Sequence, residues 1–354
     1  MKRLDKVMLG AMITLTALIA AVALLGGHTG RADDGLYVLY LAPAEAPPRA
    51  LWMMSLAGGE PRRIFAPPFG VLDFAPAPDG RWVAAAASHA DGTTDIWLVH
   101  VEGGSARRIT DCAPDSCAAP TWSPDGQQVA YERRNGTSGE GRIWVYDRRT
   151  ASSVPLFADE DVTGFAPLWS PDGGRLAFYD MQAGAIRAID LKTGDSTFIP
   201  DQMGEVGSFA PDGASMIYAD IRLVGRQFFP QLWRADLETG SVHPLLDEAE
   251  DDRMPAWSPD GRWLAFARRR LDEAQGAGSQ LMLLDLRTGE LRQVTEDATV
   301  NHTRFRWHPQ GRYLLVQRFK LMESVAEAEI WVYDLATGEF TLAVEGGVNG
   351  EWLP

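Results

Sequence analysis

The chain has 354 residues, of which 45% are hydrophobic and 23% charged, and these are the proportions of an ordinary globular protein. Its 33 basic residues are outnumbered by 48 acidic ones, which gives a formal net charge of −15 at pH 7. That sign excludes sequence-independent binding to nucleic-acid phosphates and broad electrostatic attachment to anionic lipids.

The N-terminal segment is apolar. Lys2, Arg3 and Lys6 precede an uncharged run at residues 7–27, and a helix of that length spans a hydrocarbon core of about 30 Å. Residues 1–32 are therefore interpreted as one hydrophobic helix that anchors the chain, because the apolar region of a signal peptide is shorter, about 7–15 residues. A cleaved signal peptide is the alternative. We expect residues 33–354 to lie outside the cytoplasm, in a single-pass membrane protein or, after cleavage, in a periplasmic or secreted one.

A five-residue motif then recurs along the chain. Trp-Ser-Pro-Asp-Gly stands at residues 122–126, 169–173 and 257–261, with looser copies at 209–213 and 307–311. The motif prolines at 78, 124, 171, 211, 259 and 309 are spaced by 40 to 50 residues. Periods of about 40–50 residues are typical of four-stranded propeller blades.

A second signature falls within each interval. It is an alternating apolar stretch that ends in a turn, clearest at residues 330–338, and the chain contains seven copies. We interpret each unit as four antiparallel strands: an inner strand before the Trp, a Pro-Asp-Gly turn, a second and third strand, and an outer strand after the Thr-Gly type turn. The repeated Trp is expected to pack between blades, and the repeated Asp to bond its own turn backbone.

The two ends of the repeat region complement each other. Residues 351–354 begin another repeat, whereas residues 36–42, 51–56 and 62–65 match a second, third and fourth strand. The C-terminal strand is therefore expected to join the N-terminal blade and close the ring. The sequence predicts an all-β, seven-bladed β-propeller over residues 33–354.

These motifs resemble the WD40-like repeats of the TolB-type propellers. The resemblance covers about residues 36–354, and it implies the fold but no single function. Such repeats occur in periplasmic TolB, in the propellers of prolyl oligopeptidases and dipeptidyl peptidases, and in some polysaccharide lyases. From the span of the repeats we expect neither the α/β domain that precedes the propeller in TolB nor a hydrolase domain in this sequence.

The two cysteines, Cys112 and Cys117, are close in sequence. Outside the cytoplasm such a pair is expected to form a disulfide, the alternative being two free thiols. Two cysteines are too few for a structural zinc site, which takes four ligands.

Catalytic motifs are absent from the sequence. There is no Gly-x-Ser-x-Gly, no phosphate loop, no His-Glu-x-x-His and no calcium loop. The six histidines are dispersed, and His308, which replaces the motif Ser, is interpreted as structural. The sequence thus favours a non-enzymatic protein with no cofactor and no metal.

Binding residues are instead expected on the variable loops between second and third strands. Three neighbouring units have long ones, at residues 219–231, 268–279 and 318–329. Their basic and apolar side chains are Phe228, Phe229, Arg268, Arg269, Arg270, Arg318 and Lys320. The alternative interpretation is solvated loops whose arginines pair with acidic neighbours.

A second candidate site is the mouth of the central channel. Residues just before the inner strands would line it: Asp73, Glu205, Arg253, His302, Arg304 and Glu351. Our leading hypothesis is a tethered, monomeric, non-catalytic propeller that binds a protein or peptide on its loop face. The alternative is a carbohydrate- or small-ligand-binding propeller, or a lyase- or hydrolase-like enzyme, that uses the channel mouth.

Overall fold

The computed structural model describes residues 35–44, 47–224, 227–248, 250–271, 276–321 and 328–354. Tyr37–Pro354 forms one compact unit. The segment predicted as an anchor, residues 1–32, lies outside the described residues. In the ranges that are described, no helix is both long and apolar enough to cross a bilayer.

The described residues form seven four-stranded sheets, each of which is one blade. From the inner to the outer strand, blade 1 contains β28 (Val348–Leu353), β1 (Tyr37–Ala42), β2 (Ala50–Ser55) and β3 (Arg62–Phe65). Blade 2 contains β4 (Val71–Pro76), β5 (Trp82–Ser88), β6 (Thr94–His100) and β7 (Ala106–Arg108). Blade 3 contains β8 (Ser116–Trp122), β9 (Gln128–Arg134), β10 (Gly141–Asp147) and β11 (Ser152–Pro155). Blade 4 contains β12 (Gly164–Trp169), β13 (Arg175–Asp180), β14 (Ala185–Asp190) and β15 (Ser196–Pro200).

The last three blades have the same order of strands. Blade 5 contains β16 (Ser208–Phe209), β17 (Ser215–Val224), β18 (Gln227–Asp236) and β19 (Val242–Pro244). Blade 6 contains β20 (Asp251–Trp257), β21 (Trp263–Arg269), β22 (Gln280–Asp285) and β23 (Leu291–Gln293). Blade 7 contains β24 (Val300–Trp307), β25 (Tyr313–Lys320), β26 (Ala328–Asp334) and β27 (Glu339–Glu345).

All pairings within a blade are antiparallel, and the predicted ring closure is confirmed. The late strand β28 pairs with β1, with Trp352 opposite Val38 and Leu353 opposite Tyr37. The all-β, seven-bladed propeller is thus confirmed, with apolar clusters between neighbouring blades, such as the one that joins Val83 and Val99 of blade 2 to Leu39 and Leu51 of blade 1.

The Pro-Asp-Gly motif forms the turn between the first and second strands. In blade 4, Ser170 Oγ donates to Asp172 Oδ1 at 2.6 Å and accepts the backbone N–H of Arg175 at 2.8 Å. The same pair of bonds recurs at Ser123 and Ser258. The repeated Asp is therefore a turn residue, as predicted.

The motif Trp connects adjacent blades. Trp122 Nε1 donates to Ala75 O in the inner strand of the preceding blade at 3.0 Å, and Trp307 Nε1 donates in the same way to Ala256 O at 3.0 Å. Trp352 Nε1 repeats the bond to Arg306 O at 2.9 Å, which ties the closing strand to blade 7. His308 packs edge-on against Trp352 with ring centroids 5.0 Å apart, so it is structural, as expected.

The segment at residues 219–231 is not a loop, and that prediction is wrong. β17 and β18 continue as one hairpin, with Asp220 opposite Gln231 and Val224 opposite Gln227. Alternating Ile, Leu and Phe favour strand over loop here. Similarly, β21 extends to Arg269 and β25 to Lys320, so most of the predicted loop cations are strand residues.

Cys112 and Cys117 form a disulfide, as predicted. It joins the segment after β7 to the inner strand β8, and both cysteines are buried. The bond is shielded beside Asp95, a buried carboxylate that accepts the backbone N–H of Cys112 at 2.9 Å.

The antiparallel order divides the turns between two faces. Turns between first and second strands, and between third and fourth strands, lie on the lower face. Hairpins between second and third strands, and the crossovers from one blade to the next, lie on the upper face. The inner strands therefore run from the upper to the lower face along the central channel.

Candidate functional site

Two positions of each repeat line the central channel. The residue three places before the motif aromatic belongs to an upper ring, and the residue immediately before that aromatic belongs to a lower ring; in blade 2 Pro76 takes the place of the aromatic. All fourteen line one or both of two cavities in the channel. The upper ring is Asp73, Ala119, Ala166, Val206, Met254, Arg304 and Asn349, and the lower ring is Ala75, Thr121, Leu168, Ser208, Ala256, Arg306 and Glu351.

The upper ring is built from β-bulges. In six of the seven inner strands the register with the second strand shifts at or beside this position. Five upper-ring residues have left-handed backbones, including Met254 at φ 56° and Arg304 at φ 45°. Such conformations are uncommon for side chains of this size, and a bulge changes the direction of a side chain. The bulges thus add channel-lining residues that strict alternation would not supply.

The charged residues of both rings lie in three adjacent blades. Asp73 belongs to blade 2, Glu351 to blade 1, and Arg304 and Arg306 to blade 7, whereas the ring residues of blades 3–6 are all uncharged. We call these four residues the charged sector. The channel therefore has one charged wall and one wall of small or apolar side chains.

Glu351 connects the two arginines. Its Oε1 accepts from Arg304 Nη2 at 2.6 Å and from Arg306 Nε at 2.7 Å. Arg306 Nη1 also donates to Phe305 O at 3.0 Å. Arg304 Nε is buried and has no hydrogen-bond partner among the described residues. The two guanidinium groups thus share a single carboxylate oxygen.

Asp73 is the other carboxylate of the charged sector. Burial raises its pKa above the ordinary range, and the negative charge of Glu351 adds to this effect. The charges of Arg304 and Arg306 and a hydrogen bond from the backbone N–H of Phe74, at 2.9 Å, oppose the rise. The side chain is therefore held where its ionised form is disfavoured.

The larger of the two cavities, of about 850 Å³, opens towards the upper face. Its walls include Val206, Met254, Phe319 and Val348, and residues from the upper-face connections, such as Glu205, stand at its mouth. Arg304 and Arg306 line both this upper cavity and a lower one of about 570 Å³. The two arginines therefore lie where the cavities meet, and Asp73 and Glu351 line the lower one.

The structure brings together some of the predicted channel residues and not others. Asp73, Arg304 and Glu351 meet in the charged sector, and Glu205 lines the upper cavity. Arg253 and His302 line a separate cavity of about 340 Å³ beside Asp251.

Both residues of that smaller cavity have partners within the chain. Arg253 Nε donates to Asp251 Oδ1 at 2.6 Å. His302 is buried, its Nδ1 lies 3.0 Å from Ser279 O, and burial lowers its pKa. Neither side chain belongs to either ring.

Sequence reasoning missed Arg306. It stands immediately before Trp307, as Glu351 stands immediately before Trp352, so alignment of the repeats by their aromatic residues would have placed both in the lower ring.

The predicted upper-face residues differ in exposure. Phe228 is 71% exposed and pairs across the β17–β18 hairpin with Leu223, which is 56% exposed. Phe229 points the opposite way and is 5% exposed. Successive residues of a strand alternate between its two sides, so only Phe228 presents an aromatic surface outwards.

The predicted cations are paired with carboxylates. Arg268 is buried, and its Nε and Nη2 bond both oxygens of Asp252 at 2.7 and 2.8 Å. Arg269 Nη2 bonds Asp251 at 2.6 Å. Glu329 lies 3.0 Å from Arg318 Nε and 3.9 Å from Lys320 Nζ. Arg270 follows the end of β21. A binding role for these residues stays a prediction.

Exposed large apolar side chains are concentrated on the upper face. Among the described residues, one such side chain, Leu191, lies on a lower-face turn, and three lie on outer strands. Seven lie at upper-face hairpins, crossovers or the adjoining strand end, and we call them the apolar rim: Phe69, Leu72, Met181, Leu223, Phe228, Leu271 and Leu321.

Within the described ranges, no group of three or more His, Cys, Asp or Glu side chains is arranged to hold a metal ion.

Comparison with known families gives two matches that each cover more than half of the chain. Residues 32–228 match the TolB beta propeller domain. Residues 163–344 also match the SMP-30/Gluconolactonase/LRE-like region. Both matches lie mainly within the blades described above.

Known proteins are similar at low identity. Dipeptidyl-peptidase 5 of Porphyromonas gingivalis is 23% identical over 332 residues, covering 78% of this chain and 48% of that protein. The chain spans no more than about half the length of the curated relatives it matches. Among solved structures, TolB from Acinetobacter baumannii has a TM-score of 0.53 at 17% identity and covers 90% of this chain and 83% of its own. A puromycin-hydrolyzing peptidase of Mycobacterium tuberculosis has a TM-score of 0.62 at 14% identity, with 88% of this chain and 51% of that chain covered.

Proposed function

The chain belongs to the TolB β-propeller family, and from that premise we propose that it is an extracytoplasmic, membrane-tethered scaffold that binds a segment of a partner protein without acting on it chemically. The partner segment would lie across the upper face, over the mouth of the upper cavity. The observation that carries this proposal is the apolar rim, because seven exposed large apolar side chains lie on the upper-face hairpins, crossovers and the adjoining strand end. The tether rests on the uncharged run at residues 7–27.

The chemistry of the rim favours a protein partner. Contiguous exposed apolar surface on a folded domain commonly marks an interaction site, and aromatic residues and Met are enriched in protein interfaces. Phe228 and Leu223 form a cross-strand pair at the end of the longest hairpin, so this pair reaches out as an anchor. Arg268 and Arg269 are already paired with Asp252 and Asp251, so we assign the contact with the partner to the apolar groups.

The peptidase relatives do not by themselves extend this proposal to catalysis. Those proteins are at least about twice as long as the region they share with this chain. The shared region is the propeller, so we assign binding to it and leave peptide-bond cleavage to those relatives.

The proposal is tested by cross-linking in intact cells followed by affinity capture. A variant with Leu223→Ser and Phe228→Ser should capture a specific partner about tenfold less than the unsubstituted protein, because central apolar anchors dominate interface energies. The matched control carries Phe198→Ser and Leu342→Ser, which remove similarly exposed apolar groups from outer strands.

The control should retain the partner at full level. Equal capture by both variants, or no partner specific to the unsubstituted protein, would contradict the proposed function.

A further inference from the structure

We propose that the charged sector is a carboxylate-binding subsite at the floor of the upper cavity, where Arg304 and Arg306 receive the C-terminal carboxylate of a bound polypeptide. This inference rests on the proposed function and specifies which part of the partner enters the channel. It follows from the unused donors of the two arginines, the charge of the sector and the apolar walls of the cavity.

The arginines have more donors than the chain's own acceptors use. Arg guanidinium groups present five N–H donors in a planar fork that suits bidentate bonding to carboxylates. Glu351 offers both arginines the same oxygen, and Arg304 Nε has no acceptor among the described residues. A buried donor without an acceptor is costly, so an arriving carboxylate that displaces or joins Glu351 would restore the missing bonds.

The charge of the sector also favours an anion. Arg304 and Arg306 contribute two positive charges, and Glu351 neutralises one of them. Asp73 shares the sector, but burial disfavours its ionised form. The two arginines therefore face one carboxylate that they already bond, Glu351, and a second, Asp73, whose ionised form is disfavoured.

The walls of the upper cavity favour a polypeptide over an acidic oligosaccharide as the molecule that bears the carboxylate. Val206, Met254, Phe319 and Val348 give the cavity apolar sides, and its volume of about 850 Å³ lies in the range of pockets that enclose a ligand of several residues. These four apolar side chains offer no partners for the hydroxyl groups of an acidic oligosaccharide, which would have only polar lining residues such as Thr303, Gln317 and Asn349 to bond. A chain that crosses the apolar rim can instead insert its last residues, with apolar side chains on these walls and its terminal carboxylate at the arginines.

The test uses tetrapeptides with randomised apolar residues, prepared once as free acids and once as C-terminal amides. Retention on the immobilised full chain would be measured by mass spectrometry. Free acids should be retained about tenfold more than amides, because charge-assisted bonds to a carboxylate are lost in the amide. Arg304→Asn should remove this difference, and Asn tolerates the left-handed backbone at this position.

A variant with the opposite expected effect keeps the test independent of folding. Glu351→Gln removes the competing carboxylate and preserves the shape of the side chain, so free acids should bind it about tenfold more tightly than they bind the unsubstituted protein. A variant that had merely misfolded would lose retention and would not gain it. Urea midpoints of all variants would be measured alongside.

Several outcomes would overturn the inference. They are equal retention of acids and amides, no retention of either, weaker acid binding by Glu351→Gln, or, when an acidic oligosaccharide such as oligogalacturonate is applied in parallel, its retention in place of the peptides. If partner capture depends on Leu223 and Phe228 while acids and amides bind alike, the proposed function is supported and the carboxylate subsite is contradicted. If acids bind preferentially while the substitutions in the rim leave partner capture unchanged, the proposed function is contradicted and the subsite is supported.

Discussion

At the scale of single residues, Asp73 lies in the central channel and lowers the stability of the folded chain at neutral pH. Its neighbours on the two rings include Glu351, and burial raises its pKa more than Arg304 and Arg306 lower it. The folded chain therefore binds a proton at Asp73 more tightly than the unfolded chain does. Keeping an acid at this position costs stability at neutral pH, which is typical of functional sites and not of packing residues.

Asp73→Asn is expected to raise the free energy of unfolding at pH 7. Between the ordinary carboxyl pKa of 3.8 and the raised folded value, the native state holds more protons than the unfolded state, so the contribution of Asp73 to stability falls as pH rises through that interval. The gain from the substitution should therefore be largest at pH 7 and shrink towards pH 4. Urea unfolding at both pH values measures it.

Asp125→Asn is the matched control, with the opposite sign. Hydrogen bonds from Ser123 and from the backbone N–H of Gln127 lower the pKa of Asp125, so this residue stabilises the fold at neutral pH. Its replacement should destabilise the protein at pH 7, and the loss should diminish only at acid pH. A less stable Asp73→Asn protein at pH 7 would contradict the account of the charged sector.

The sequence identified part of this site for a physical reason. Repeat spacing locates the inner strands, so Asp73, Arg304 and Glu351 were expected near the channel. The bulges were not visible in the sequence, because a left-handed Ala, Met or Arg has no distinct local signal. Without them Arg253 and His302 were assigned to the main channel although they line a side cavity. Arg306 was missed for a different reason, because the repeats were not aligned by the aromatic residue that it precedes.

At the scale of elements, the indole of the motif Trp acts as a connection between blades. Trp122 belongs to β8, yet its Nε1 bonds the carbonyl oxygen of Ala75 in β4 at 3.0 Å. Trp169 holds the same position in the next blade, but its buried Nε1 has no partner among the described residues. The repeat therefore contains two versions of one contact, one with the hydrogen bond and one without it.

This difference predicts unequal effects of the same substitution. Trp122→Phe should cost about 1–2 kcal/mol, because it leaves the Ala75 carbonyl without its donor, whereas Trp169→Phe should cost less. Trp122→Ala should cost about 3–5 kcal/mol through loss of a large buried side chain. Urea denaturation measures the free energies of unfolding of the three variants, which can be compared if their m-values are unchanged. Equal costs for the two Phe variants would contradict the connecting role of the indole nitrogen.

The β17–β18 hairpin shows why loop predictions fail in such repeats. Turn residues mark the shared Pro-Asp-Gly and Thr-Gly turns clearly, but the length of a hairpin on the upper face depends on pairing across the strands. Leu223 and Phe228 pair near the tip, and the sequence of either strand alone does not predict that pairing.

At the scale of the whole molecule, ring closure depends on one late strand. β28 completes blade 1, bonds blade 7 through Trp352, and delivers Glu351 to both arginines of the charged sector. The fold and the candidate site therefore share an element.

Deleting residues 350–354 should lower the free energy of unfolding by more than substitution of the side chains in this segment does. The matched control keeps the strand and carries Glu351→Gln and Trp352→Phe. We expect the truncated protein to unfold at lower urea and to be cleaved by protease at β1, since an unpaired edge is exposed there. A truncated protein as stable as the control would show that the ring does not need this strand.

The position of β28 in the chain also bears on biogenesis. Because β28 follows every other described strand, blade 1 stays incomplete while blades 2–7 are synthesised, and the edge of β1 remains an open template for wrong pairing. A product that ends early would retain that open edge and an arginine pair without its carboxylate. Ring closure thus requires a chain translated as far as β28, and we expect chains that end earlier to be more susceptible to proteolysis.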